Sequence, residues 1–143
     1  MTSLVPGLKG EATLVVGPEH TAESVGSGKV GVLATPVMIN VIEAAALATV
    51  EPHLEDGHQS LGTFLEVSHI AATPVGMTVR ATAEIVTVDG RMVELKVRAE
   101  DEIDALVTGP DGWLEIYEDE NYDDTVRRFG PNSRHTRLDD HDN

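Results

Sequence analysis

Pro36 to Val50 reads PVMINVIEAAALATV, a run in which only Asn40, Glu43 and Thr49 carry polar side chains. Thr35-Pro36 is a helix start, since threonine can cap exposed amides and proline loses nothing at the first helical position. Met38, Val41, Ile42, Ala45 and Thr49 share one face at helical spacing, while Ala44, Leu47 and Ala48 make the other faces nearly as apolar. Glu51-Pro52 ends the helix. A helix that is apolar all round must be buried on more than one side, so the rest of the chain has to wrap it. Glu43, in the middle of the run, loses much of its hydration there. It must be paired, shifted in pKa or put to use.

The remaining segments supply the wrapping surface. Glu11 to Val16 reads as a first strand closed by Gly17-Pro18, and the glycine-rich stretch from Thr21 to Gly31 as a flexible loop. Beyond the helix the period changes to two. Leu61, Thr63, Leu65, Val67 and His69 alternate as a strand, Met77 to Val88 alternates again, Asp89-Gly90 is a hairpin signal, and Arg91 to Glu100 returns. Ile103 to Thr108 and Trp113 to Tyr117 form a last strand broken by a turn or bulge at Gly109 to Gly112. The pattern is α+β, with one long buried helix against an antiparallel sheet. Residues 1–117 form one domain and 118–143 a polar, acidic tail, solvated or pinned on a partner subunit.

Composition narrows the chemistry. The chain of 143 residues has no cysteine, which excludes disulfides, thiolate zinc sites and a cysteine nucleophile. Aromatics make up 3%, so the core is aliphatic. A net charge of −15 argues against nucleic acid or an anionic membrane as partner. No segment is long and apolar enough to span a bilayer and no leader pattern opens the chain, so a soluble cytoplasmic protein is the expectation. The Gly26-Ser27-Gly28 segment lacks the lysine-serine pair of a phosphate loop, and Pro52 and Gly57 break any helical pairing of His53 with His58 as metal ligands.

Three residues next to core elements combine into a candidate catalytic set: Thr35, Glu43 and His69. Each has an ordinary reading as well. Thr35 can be a cap, Glu43 a structural carboxylate bonded to a backbone amide or to Asn40 three residues earlier, and His69 a satisfied strand histidine. Chemically, Glu43 can serve as general base or as nucleophile, and His69 as proton donor to a leaving group or as the base that activates Thr35. Gly62 reads as a position of close backbone approach.

Several segments together carry a resemblance. Leu33-Ala34-Thr35-Pro36-Val37-Met38, Ile42-Glu43-Ala44-Ala45, Glu51-Pro52-His53-Leu54, Ser60-Leu61-Gly62-Thr63 and Val67 to Gly76, with its H-x-A-A-T-P-x-G block, resemble the hotdog thioesterases related to fluoroacetyl-CoA thioesterase. The resemblance implies a hotdog fold, a sheet wrapped around a central helix. Because that helix is apolar on every face, one sheet cannot cover it without a partner or a very curved wrap, and a homodimer with Thr35, Glu43 and His69 near the subunit interface is the expectation. The resemblance also implies hydrolysis of an acyl thioester carried by coenzyme A or a carrier protein, with no cofactor and no metal. Thr35, Glu43 and His69 match the family's catalytic set, Gly62 a glycine near the acyl carbonyl, and Asn40 is a candidate to orient Glu43 or substrate. The fluoroacetyl-specific enzyme has a phenylalanine-bearing lid where this chain has Gly26-Ser27-Gly28-Lys29-Val30, so that specialisation is not expected here. Arg80, Arg91, Lys96 and Arg98 are candidate contacts for the coenzyme A phosphates. A non-catalytic acyl-binding protein and a hotdog hydratase or dehydratase are the alternatives; the latter normally wants an Asp-His pair that the chain lacks.

Overall fold

The computed structural model describes residues 4–107 and 112–119. The elements are β1 (Lys9–Val15), a short helix α1 (Ala22–Val25), the central helix α2 (Thr35–Val50), β2 (Gln59–Glu66), β3 (Thr78–Asp89), β4 (Met92–Glu100) and β5 (Gly112–Asp119). All strand pairs are antiparallel, and the sheet order is β1-β3-β4-β5-β2. This is the expected hotdog arrangement, with α2 lying across the sheet.

Period-two alternation builds the sheet's inner face. Val79, Ala81, Ala83 and Ile85 of β3 and Val93, Leu95, Val97 and Ala99 of β4 are all buried. Met38, Val41, Ile42, Ala45, Ala46, Thr49 and Val50 of α2 meet them. Full burial of a Leu- or Ile-sized side chain such as Ile42 contributes about 1.5–3 kcal/mol. Small residues set how closely the layers approach. A methyl group placed on Gly10 of β1 would lie 2.8 Å from the Thr49 backbone nitrogen and 3.1 Å from the Ala45 carbonyl. The helix packs mainly on β1 and β3, less on β4 and only marginally on β2. The far side of the sheet is therefore thinly covered by the chain's own helix.

Several boundaries differ from the sequence reading. Thr35 does not cap α2: Ala34 is the N-cap residue, Thr35 takes the first helical position, and no side chain bonds the free amides. The stretch after Thr21 is ordered by α1, with Thr21 Oγ1 accepting from the Ser24 amide and Gly26 ending the helix at φ 82°. The strand expected to reach His69 stops at Glu66 after a register shift between Gly62 and Phe64. The Asp89-Gly90 hairpin forms as expected. Ala105 to Val107 contribute isolated bridges to Glu100 and His69 before β5 begins. The expected turn at Gly109–Gly112 and the tail beyond Asp119 fall almost entirely outside the described residues. No described helix is long and apolar enough to cross a membrane.

Candidate active site

Thr35 stands at the first position of α2, where the helix begins abruptly after a buried Leu33-Ala34 pair. The Leu33 amide donates to the Thr73 carbonyl (2.8 Å) and the Ala34 amide to the His20 carbonyl (2.9 Å), which fixes the entry into the helix. His69 lies past the end of β2, held by a bridge to Val107, and the next amide, that of Ile70, donates to the Leu106 carbonyl at 2.8 Å. These two anchorages bring Thr35 Oγ1 within 2.8 Å of His69 Nδ1, across 34 positions of sequence. A hydroxyl that would have capped the helix is instead bound to an imidazole.

Burial of His69 lowers its pKa below the ordinary imidazole value of 6.5, with a backbone hydrogen bond at Ala71 acting in the opposite sense. The ring is therefore neutral at neutral pH, able to take a proton from the threonine hydroxyl. Its Nε2 is buried without a hydrogen-bond partner among the described residues. The first turn of α2 carries no acidic side chain, so the positive end of the helix dipole beside Thr35 is not neutralised locally. An apolar cavity of about 390 Å³ opens next to the pair, lined among others by Ser27, Gly28, Val30, Val32, Ala71 and Ala72.

Glu43 is in a different place. Eight residues along a helix correspond to about 12 Å of rise, and the carboxylate lines a second cavity of about 340 Å³. That cavity is walled by Asn40, Ala44 and Leu47 of α2, Ser60, Leu61 and Gly62 of β2, and Leu114 of β5. It shares no lining residue with the cavity at Thr35 and His69. Glu43 is half-buried, and an added methyl on Gly62 would stand 2.7 Å from its Oε2. Gly62 thus leaves room for the carboxylate. Within one chain the five predicted residues fall into two groups, Thr35 with His69, and Glu43 with Asn40 and Gly62.

Of the expected phosphate contacts, Arg80, Lys96 and Arg98 line a groove on the outer sheet face with Lys9, Glu11 and Glu84, and Arg91 sits in the β3–β4 turn. Arg80 is paired with Glu11 at 2.9 Å and approaches Glu100 at 3.6 Å. No group of three or more metal-ligating side chains occurs among the described residues.

The family model of the fluoroacetyl-CoA-specific thioesterase matches residues 16–110. The fluoroacetyl-CoA thioesterase of Streptantibioticus cattleyicolor is 44% identical over 78 residues, which cover 54% of this chain and 56% of that protein. The chain thus aligns with little more than half the length of this curated relative. A crystal structure of a mutant fluoroacetyl-CoA-specific thioesterase superposes with a TM-score of 0.78 at 32% identity, covering 88% of this chain and 97% of the other. The same mutant has been solved in complex with fluoroacetate and CoA. A hot-dog-like protein from Thermanaerovibrio acidaminovorans shares the fold, with a TM-score of 0.72 at 21% identity, covering 87% of this chain and 93% of that one.

Proposed function

Since the chain belongs to the fluoroacetyl-CoA-specific thioesterase family, we propose that it hydrolyses acyl-CoA thioesters with Thr35, His69 and Glu43 in a site completed by a second copy. The observation that carries this reading is the 2.8 Å contact between Thr35 Oγ1 and His69 Nδ1 at the open end of α2. With the proton on Nε2, Nδ1 accepts from the threonine hydroxyl. Thr35 Oγ attacks the thioester carbonyl as its proton passes to His69, and the helix N-terminus favours the developing oxyanion. The C–S bond then breaks, His69 returns the proton to the thiolate, and water hydrolyses the threonyl ester with His69 again as base.

The unpartnered Nε2 needs an acceptor, and Glu43 of the same chain lies about 12 Å of helix rise beyond Thr35, in the other cavity. A two-fold pairing along the free edge of β2 removes that distance. It sets two α2 helices side by side and antiparallel, on the thinly covered side of the sheet. With the axis level with Ile39, position 35 of one helix stands opposite position 43 of the other. The partner subunit's Glu43 then serves His69, and the exposed Ala44 and the partly exposed Leu47 are covered. In this arrangement the Gly62 amide and Asn40 come from the Glu43 side of the site.

The lid segment supports a substrate wider than fluoroacetyl-CoA. Gly26 to Val30 carry no aromatic ring, and the cavity beside Thr35 is open and lined by small aliphatic groups. A pocket whose lid segment carries no aromatic ring should discriminate weakly between similar acyl groups, so kcat/KM for acetyl-CoA and fluoroacetyl-CoA should agree within about tenfold. Release of free thiol from acetyl-, fluoroacetyl- and butyryl-CoA tests both points. No thiol from any of them removes the hydrolase reading, and a preference for fluoroacetyl-CoA of a hundredfold or more, of order 3 kcal/mol, removes the second.

A further inference from the structure

Asp101, directly after β4, is 8% exposed, in an acidic stretch (Glu100 to Asp104) that would otherwise read as surface. Nothing in the proposed reaction uses it and the aliphatic core has no need of it. Its Oδ2 accepts from Thr73 Oγ1 at 2.8 Å. Its Oδ1 accepts from the amides of Ile103 (2.8 Å) and Asp104 (2.7 Å). Its own amide donates to the Asp104 carbonyl at 2.9 Å. Burial pushes the carboxyl pKa up, but the two amides and the hydroxyl more than offset this, and the net shift is downward. The group stays ionised, with three donors shared between its two oxygens.

Each of those bonds leads to one half of the Thr35–His69 pair. Thr73, fully buried, uses its carbonyl to receive the Leu33 amide, two residues before Thr35. The Asp101–Asp104 turn reverses the chain so that the Leu106 amide reaches the Ala99 carbonyl, and the Leu106 carbonyl in turn receives the Ile70 amide. Val107 then bridges His69. Thr73 also lies four residues after His69 on the same connection. A single carboxylate therefore ties together the segment that presents the hydroxyl and the segment that presents the imidazole, while touching neither.

We propose that Asp101, acting through the Thr73 hydroxyl and the amides of its own turn, is a positioning residue that sets the Thr35–His69 contact. The proposal rests on the thioesterase reading for its kinetic consequence, but the contact itself can be observed without turnover. Misplacement of a reacting pair by about 1 Å can cost a hundredfold in rate.

The test compares Thr73→Ala with Thr73→Ser, which differ only in the hydroxyl. In thiol release from acetyl-CoA, Thr73→Ala should lose about tenfold or more in kcat, with KM changed less than about threefold, and Thr73→Ser should stay within about threefold of the parent in both. In the imidazole 15N spectrum the His69 Nδ1 resonance should move in the alanine variant and return in the serine variant. Thr73→Val replaces Thr73→Ala if the latter does not fold. Equal losses in the alanine and serine variants mean packing alone and overturn the proposal, as does an unchanged Nδ1 resonance without the hydroxyl. If the parent protein releases no thiol, the thioesterase reading fails, and the 15N comparison decides the positioning role by itself.

Discussion

Thr35 bonds to His69 rather than to its own helix, and that choice has consequences for pH dependence. Because burial lowers the imidazole pKa, His69 remains a neutral base to a pH below its ordinary value of 6.5. The acid limb of kcat/KM should therefore lie below pH 6.5, with activity lost as pH falls through the depressed value. The stability contribution has the same sign. It is undiminished above 6.5 and declines as pH drops from there toward the folded-state pKa, since the unfolded chain binds the proton more readily. A limb centred above 6.5 would show that His69 is not the base. Glu43→Gln keeps shape and removes ionisation, and should lower turnover by about two orders of magnitude with the fold intact. Gly62→Ala makes a subtler change. Its methyl would press on the flexible end of Glu43, so thermal stability should hold while activity falls, as a melting curve and a thiol assay on the same sample would show. Glu43 stood out as a candidate because a carboxylate interrupts an apolar run, while Thr35 and His69 have ordinary local readings and joined it mainly through the family resemblance. Asp101 was not legible, because its partner Thr73 lies 28 positions away and nothing local marks one member of an acidic run as buried.

At the level of elements, the apolar run marked α2 to within one residue, the helix starting at Thr35 itself rather than after it and ending at Val50 before Glu51-Pro52. Strand ends were less legible. β2 stops three residues short of His69 because its pairing with β5 ends at Glu66 and Trp113, and His69 bridges Val107 instead. The chain from Ala105 to Val107 has strand composition yet makes only single bridges, because the Asp101 turn turns it toward His69 instead of along β4. Between β1 and α2 the spacing depends on one glycine. Gly10→Ala would set a methyl against the Thr49 and Ala45 backbone, which cannot yield as a side chain can. Overpacking of this kind costs about 1–3 kcal/mol, readable as a lower denaturant midpoint with an unchanged slope. A variant as stable as the parent would mean that α2 and β1 are free to slide.

For the whole molecule, charge and symmetry matter most. The groove holding Lys9, Arg80, Lys96 and Arg98 lies on the outer sheet face, while Thr35, His69 and Glu43 lie on the helix side. With a net charge of −15, the chain repels the coenzyme A phosphates at long range. Added salt should therefore leave KM for acetyl-CoA unchanged or lower it, and a marked rise with salt would show that a basic surface captures the phosphates after all. The two separate cavities were not legible from sequence, because spacing along a helix does not say whether residues meet within one chain or between two. In the proposed site they meet between two copies. Thr35→Ala and Glu43→Gln proteins, each nearly inactive alone, should be unfolded together, refolded and assayed for thiol release from acetyl-CoA. A mixed dimer then has one site with both residues intact and one with neither, so random pairing should restore about a quarter of the parent activity. A mixture no more active than its two components, with mixed dimers present, would place Thr35 and Glu43 in the same chain's site and contradict the shared site.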